Sequence, residues 1–186
     1  DVLEWVLRKE RRRMNRFIPL MIFCVISLAL FIGLGLNPGN IPSELINDPV
    51  PEFSLPVVGG EAPGFSSADL AANDDVILVN FFASWCAPCY VEHPFLMELK
   101  SRGYKIYGVS YKDKARDTNR FIQEQGNPYY EIAADEDGRV AIDFGVYGVP
   151  ETYVIKNGVI LYKHSSPILE MEFEDKIIPI IESAAK

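Results

Sequence analysis

The chain has 186 residues, of which 48% are hydrophobic and 24% charged, with 18 Lys/Arg against 26 Asp/Glu and three Cys. That length suits one ordinary domain with chain to spare, and the composition excludes wholesale disorder. Three cysteines exclude a disulfide-stapled miniprotein, and a net charge of −8 argues against nucleic acid as a partner, since phosphate binding needs a basic surface.

The charge is unevenly spread. Residues 1–16 carry six Lys/Arg and three Asp/Glu, whereas the rest carries 12 against 23. Directly after this basic head, residues 17–36 read FIPLMIFCVISLALFIGLGL, twenty residues without a charge. At about 1.5 Å per residue a helix of that length spans roughly 30 Å, the thickness of a bilayer core, and Pro19 falls in the first turn, where it is tolerated. A cleaved signal peptide fits less well, because its apolar region runs about 7–15 residues and ends at a small-residue site. Cys24 follows Phe23 and reads as an apolar member of the span. The positive-inside rule keeps Arg8, Lys9, Arg11, Arg12, Arg13 and Arg16 cytoplasmic and exports the C-terminal body. Residues 37–49, rich in Pro, Gly, Asn and Ser, read as a linker, and residues 50–186 as the working domain.

Within that domain strand and helix signals alternate. Val76–Ala83 is a continuous apolar run, the pattern of a central buried strand. A turn, Ser84–Ala87, precedes a helix from Pro88 to about Lys100; Tyr104–Tyr111 is a second strand and Lys114–Gln125 an amphipathic helix. A short strand follows near Glu131–Ala134, then a brief helix over Arg139–Phe144. Glu151–Ile155 and Val159–His164 flank Asn157-Gly158, a strong hairpin signal. Glu170–Ser183 closes the chain as a helix that Pro179 should bend or loosen. The order predicts an α/β domain with parallel crossovers first and an antiparallel hairpin last.

Chemistry concentrates at Trp85-Cys86-Ala87-Pro88-Cys89. Two cysteines with two residues between them, at the start of a helix, lie close enough to bond. The unpaired N–H groups and positive partial charge of a helix N-terminus favour a thiolate, lowering a Cys pKa to about 3.5–7.5. Cys86, nearer the turn and solvent, is the expected nucleophile, and Cys89 the residue that resolves the mixed disulfide. Other readings fare worse. Structural zinc needs four ligands, and Cys86, Cys89, His93 and His164 have no familiar spacing. Covalent haem attachment requires C-x-x-C-H, but Tyr90 stands at the His position. An inert structural disulfide is the remaining alternative.

About sixty residues later stands Gly145-Val-Tyr-Gly-Val-Pro150-Glu-Thr-Tyr153, where a Pro opens a strand after a Gly-rich turn. The strand–WCxPC–helix unit followed by Val-Pro before a hairpin resembles the thioredoxin fold, whose cis-proline faces the disulfide. More closely, Ala83–His93, Val109–Asp113, Gly126–Tyr129 and Gly145–Tyr153 resemble the membrane-anchored CcmG/DsbE family, the cytochrome c maturation thioredoxins of Gram-negative bacteria. The resemblance covers roughly Asp48–Glu182 and includes the single N-terminal anchor.

The resemblance implies a thioredoxin-like α/β fold, a central mixed sheet flanked by helices, behind one transmembrane helix. It implies a periplasmic thiol-disulfide oxidoreductase, attached to the bacterial inner membrane, that reduces the CxxCH disulfide of apocytochrome c directly or through CcmH. Electrons would come from a membrane thiol donor of the CcdA/DsbD type, with no cofactor beyond the Cys86–Cys89 pair and no metal. Trp85 would pack beside the cysteines, and Val149 and Pro150 would offer backbone to an extended substrate segment. Glu92 and Glu151 resemble the family's acidic groups near the active site, while His93 matches a family His but reads as a packing residue. Thioredoxins usually carry a buried Asp six residues before the first Cys; here that position is Asn80, so Glu92, three residues after Cys89, is the candidate for proton transfer. A ResA/TlpA-type anchored reductase serving other exported proteins is the alternative enzyme, against which Gly145–Tyr153 speaks. A non-enzymatic anchored module, whose acidic body binds a basic partner, would survive loss of both cysteines.

Overall fold

The computed structural model describes residues 17–31 and 45–185, in two units divided after Asn40. In the first unit residues 17–31 form a helix, α1, whose apolar side chains are exposed along its length. Among the described residues no helix is long and apolar enough to cross a membrane. The last part of the anticipated span, residues 32–36, lies outside the described residues, as do the basic head and most of the linker.

The second unit is built on a five-stranded sheet in the order β5-β4-β3-β6-β7. Its strands are β3 (Ile77–Phe82), β4 (Lys105–Tyr111), β5 (Glu131–Asp135), β6 (Glu151–Lys156) and β7 (Val159–His164). The β3–β4 and β4–β5 pairs are parallel, joined by α3 (Ala87–Ser101) and α4 (Ala115–Gln125), whereas β6 and β7 run antiparallel. All six residues of β3 are buried, because apolar layers cover both sheet faces. Alternation along β3 sends Leu78, Asn80 and Phe82 to the face covered by α3, α4 and the C-terminal helix, and Ile77, Val79 and Phe81 to the other. Asn157 and Gly158 both have positive φ (51° and 73°), as the two-residue hairpin turn requires.

Two regions differ from the sequence expectation. Residues 54–71, which carry no clear period, form a small hairpin, β1 (Ser54–Pro56) and β2 (Pro63–Ser66), and a short helix, α2 (Ser67–Ala71). Ser66 and Asp69 form a reciprocal capping box that starts α2. After α5 (Arg139–Asp143), the brief helix expected there, the C-terminal helix runs as α6 (Glu170–Glu172), a π segment (Phe173–Ile177) and α7 (Ile178–Ala185), so the loosening predicted at Pro179 occurs in the turn before it. A widened turn relieves the clash between the Pro179 ring and the carbonyl four residues back.

Candidate active site

Buried β3 delivers the chain to the Ser84-Trp85 turn, and α3 begins at once. Cys86 is the N-cap, in extended conformation (φ −90°, ψ 102°), and a proline occupies the first turn, where no N–H is needed. Cys86 and Cys89 are joined as a disulfide with Cα atoms 5.3 Å apart. The Cys89 N–H donates to Cys86 Sγ at 3.2 Å, so the sulfur takes the place of a capping oxygen. That donor, together with the helix dipole, favours negative charge on Cys86 once the bond is reduced. Exposure does not distinguish the two cysteines as the sequence suggested: they are 3% and 2% exposed. What sets Cys86 apart is its cap position.

The turn is braced from the loop after β4. Asp113 Oδ2 accepts from the Ser84 N–H (2.6 Å) and the Thr118 hydroxyl (3.0 Å), while Oδ1 accepts from the Ser84 hydroxyl (2.9 Å) and the Lys114 N–H (2.8 Å). Sequence reasoning marked Asp113 only as part of a matching segment and gave it no role. Trp85 is 59% exposed; its indole N–H donates to the Lys112 carbonyl at 3.2 Å and its ring leans toward Tyr111. It borders a cleft of about 440 Å³ between the Ser84-Trp85 turn and α4, lined also by Ser84, Tyr90, Lys112, Asp117 and Arg120.

From the other side, the Val149–Pro150 peptide bond is cis, and the Val149 carbonyl oxygen lies 3.4 Å from Cys86 Sγ. Glu151 goes elsewhere. It pairs in register with Phe81, so its side chain points to the sheet face opposite the disulfide. There it forms a buried ion pair with Lys163 (3.0 Å) and accepts from the Tyr153 hydroxyl and the Tyr147 N–H. Lys163 also donates to the Gly145 carbonyl at 2.7 Å. The pair grips the loop that carries Val149 and Pro150, and its carboxylate is not presented to a substrate. Neither Lys163 nor this pairing was foreseen.

Glu92 is brought to the disulfide face, fully buried on α3 one turn past Cys89. Its Oε1 accepts from Asn80 Nδ2 at 2.9 Å and its Oε2 from the Ile168 N–H at 3.1 Å. Asn80 Nδ2 also donates to the Thr152 hydroxyl (3.0 Å), and Asn80 Oδ1 accepts from the Tyr129 hydroxyl (2.8 Å). Burial raises the Glu92 pKa to about 7, opposed by the donors of Asn80 and Ile168. His93 points away: it is buried, its Nε2 bonds the Gly126 carbonyl, its ring packs edge-on against Phe121, and burial lowers its pKa.

Comparison with known proteins places this geometry. Residues 46–163 match the AhpC/TSA family. The thiol:disulfide interchange protein DsbE of Pseudomonas aeruginosa is 38% identical over 92% of this chain and 94% of its own length. DsbE of Escherichia coli K12 is 37% identical over 94% and 97%, and HelX of Rhodobacter capsulatus 40% identical over 90% and 98%. The chain belongs to the CcmG/DsbE family. A crystal structure of a thiol:disulfide interchange protein of the thioredoxin family from Chlorobium tepidum is 28% identical, with a TM-score of 0.57 over 78% of this chain and all of that one. A secreted disulfide oxidoreductase of Mycobacterium tuberculosis shares the fold at 19% identity and a TM-score of 0.58, covering 70% and 95%. Like these DsbE relatives the chain is a thiol-disulfide oxidoreductase, and the Cys86–Cys89 pair supplies the dithiol. In CcmG/DsbE terms its site combines a capped disulfide, a cis-proline loop and a buried carboxyl.

Proposed function

We propose that this chain is a periplasmic reductase of cytochrome c maturation, held at the inner membrane by residues 17–36, and that it reduces the CxxCH disulfide of apocytochrome c directly or through a CcmH-type thiol protein. The observation that carries the proposal is the capped Cys86–Cys89 disulfide with the Val149 carbonyl against Cys86 Sγ and a carboxyl of near-neutral pKa one turn away. The Cys86 thiolate attacks one sulfur of the target disulfide, forming a mixed disulfide and releasing the target's other sulfur as a thiolate. An extended target segment lies along Val149 and the Pro150 loop, with Trp85 as an exposed flank. The Cys89 thiol passes its proton to the Glu92 carboxylate, and the resulting thiolate attacks Cys86 Sγ. The target's second sulfur leaves as a thiolate in its turn; the two target thiolates take up one proton given back by Glu92 and one from water, and two electrons have left the chain. A membrane dithiol of the CcdA/DsbD type then reduces the Cys86–Cys89 pair, and anchoring keeps the domain close to that donor. No metal or further cofactor enters these steps.

A Cys89→Ser variant, which cannot resolve the intermediate, tests the assignment in cells. It should accumulate a dithiothreitol-sensitive adduct with a CxxCH polypeptide or a CcmH-type protein, lost on adding Cys86→Ser. Adducts only with proteins unrelated to cytochrome c assembly would replace the proposed substrate. A reporter fused after Lys186 should be active only if it functions outside the cytoplasm.

A further inference from the structure

We propose that Tyr129, seated over Gly108, is a positioning residue for the redox site: its hydroxyl sets which end of the Asn80 amide faces the Glu92 carboxyl. The side chain of Asn80 stands on the disulfide face of β3 with three partners. Its NH2 group serves Glu92 and Thr152; its oxygen is served, among the described residues, by Tyr129 alone. The two ends of an amide are chemically opposite. Rotated by half a turn, the same side chain would set an acceptor against a carboxylate and turn its NH2 to the Tyr129 oxygen, leaving the buried phenol hydrogen without the acceptor it now has. The Tyr129 hydroxyl prevents that, because a group donating to the oxygen is satisfied in one orientation only. Complete burial raises the Tyr129 pKa well above the ordinary phenol value, so the donor proton is retained.

How Tyr129 reaches Asn80 is written in β4. Gly108 is the residue of β4 in register with Asn80. A Cβ at position 108 would lie 2.8 Å from two ring carbons of Tyr129 and 3.1 Å from Phe82. Gly108 has no positive φ to explain it, and glycine inside a strand otherwise weakens it and marks a close approach. The approach is that of the Tyr129 ring, stacked on Phe82 with centroids 4.7 Å apart and crossing β4 to place its hydroxyl on β3. Asn127 Oδ1 fixes the loop by accepting the Tyr129 N–H at 2.9 Å.

The groups facing Glu92 are few. Asn80 comes from β3, the Ile168 N–H from the segment before α6, and, both through Asn80, Thr152 from β6 and Tyr129 from the loop before β5; Cys89 precedes Glu92 by one turn of α3. Among the described residues no Lys, Arg or His pairs with Glu92. Its proton affinity therefore depends on the Asn80 donor, and losing that donor raises it.

The test uses the full-length oxidised chain labelled with ¹³C at glutamate carboxyls, the Glu92 resonance being assigned by its loss in Glu92→Gln. Tyr129→Phe keeps the ring and its stacking but removes the donor; it should move the Glu92 titration upward by about one unit. Gly108→Ala removes no polar group yet crowds the ring, and should move it the same way. An unmoved titration in folded Tyr129→Phe overturns the proposal, whether or not Gly108→Ala folds. The effect on rate rests on the reading of Glu92 as proton acceptor, and the two can fail separately. If the titration moves and the pH profile of mixed-disulfide resolution moves with it in the parent but not in a Glu92→Gln background, both stand. If the titration moves and the rate profile does not, the positioning stands and the proton-transfer reading falls.

Discussion

Glu92 should make the fold lose stability as pH rises, and replacing it with Gln should remove that loss. In the unfolded chain its carboxyl titrates at the ordinary value of 4.5, in the fold at about 7. Between those limits the native state holds a proton that the unfolded state has released, so the contribution is fully present below about pH 4.5 and is lost as pH rises through 7. The separation of the two values corresponds to about 3 kcal/mol. The group is completely buried, so solvent screening does not reduce that figure. A glutamine amide at position 92 has no such dependence. Its oxygen satisfies one of the two donors now held by Glu92, but its NH2 meets the other, a mismatch costing about 1–3 kcal/mol at all pH values. Near pH 5 Glu92→Gln should therefore be the less stable protein, by about 1–3 kcal/mol. Near pH 8 the parent has given up about 3 kcal/mol and the variant should match or exceed it. Urea unfolding of both oxidised proteins at the two pH values measures this. Asp135, His93 and His164 also titrate differently in the fold, but they are common to both proteins and drop out of the difference. A gap between parent and variant that stays constant within about 0.5 kcal/mol from pH 5 to 8 would refute the reasoning.

Lys163→Met leaves Glu151 buried without its cation and should cost about 3–5 kcal/mol in urea unfolding, much of it recovered by adding Glu151→Gln. A loss under about 1 kcal/mol would mean that water replaces the ammonium. Asp113→Ala removes the acceptor of four hydrogen bonds around Ser84 and Thr118; it should cost about 2–3 kcal/mol and speed reduction of the Cys86–Cys89 bond by dithiothreitol. An unchanged reduction rate would show that the brace does not reach the cysteines. As a reductase, the domain should equilibrate with glutathione at a potential nearer about −270 mV than −120 mV, and a value above about −150 mV would reverse its proposed role.

The sheet was legible because its signals are local. The apolar run of β3, the Asn157-Gly158 turn and the amphipathic α4 each carry their own period or turn chemistry, and the strands lie within a residue or two of where they were read. The β1–β2 hairpin was not, since strands of three and four residues interrupted by Pro and Gly present no period; only the Ser66–Asp69 cap signalled α2. The cysteines were equally plain. The two glutamates were not separable by residue type, because what distinguishes them is register. Position 151 pairs with Phe81 and faces one core, whereas Thr152 pairs with Asn80 and faces the other. Lys163 was hidden for the same reason: counted regularly from the Asn157-Gly158 turn it would stand opposite Thr152 on the other face, and only the register shift between Val154 and Ile155 sets it opposite Tyr153, diagonal to Glu151.

The structure also changes what an aspartate at position 80 would do. By analogy with thioredoxins, Asn80→Asp looks like a second route for the Cys89 proton and a partial replacement for Glu92. In the fold, Asn80 Nδ2 is 2.9 Å from Glu92 Oε1. An aspartate there would set two carboxyls at hydrogen-bond distance in a buried site, where they cannot both ionise; one pKa would be driven up and the pair would titrate in two coupled steps. With Glu92 present, Asn80→Asp should therefore slow mixed-disulfide resolution near neutral pH, since one shared proton occupies the acceptor. With Glu92→Gln in the background the outcome inverts. The new carboxylate would receive the hydroxyls of Tyr129 and Thr152 and the introduced amide, donors that hold it ionised and free to accept a proton. Rates of peptide reduction for the four proteins of this cycle, measured from pH 6 to about 8, decide it. Asn80→Asp should lower the rate alone and raise it beside Glu92→Gln; a rise in both backgrounds would mean that positions 80 and 92 do not share a proton.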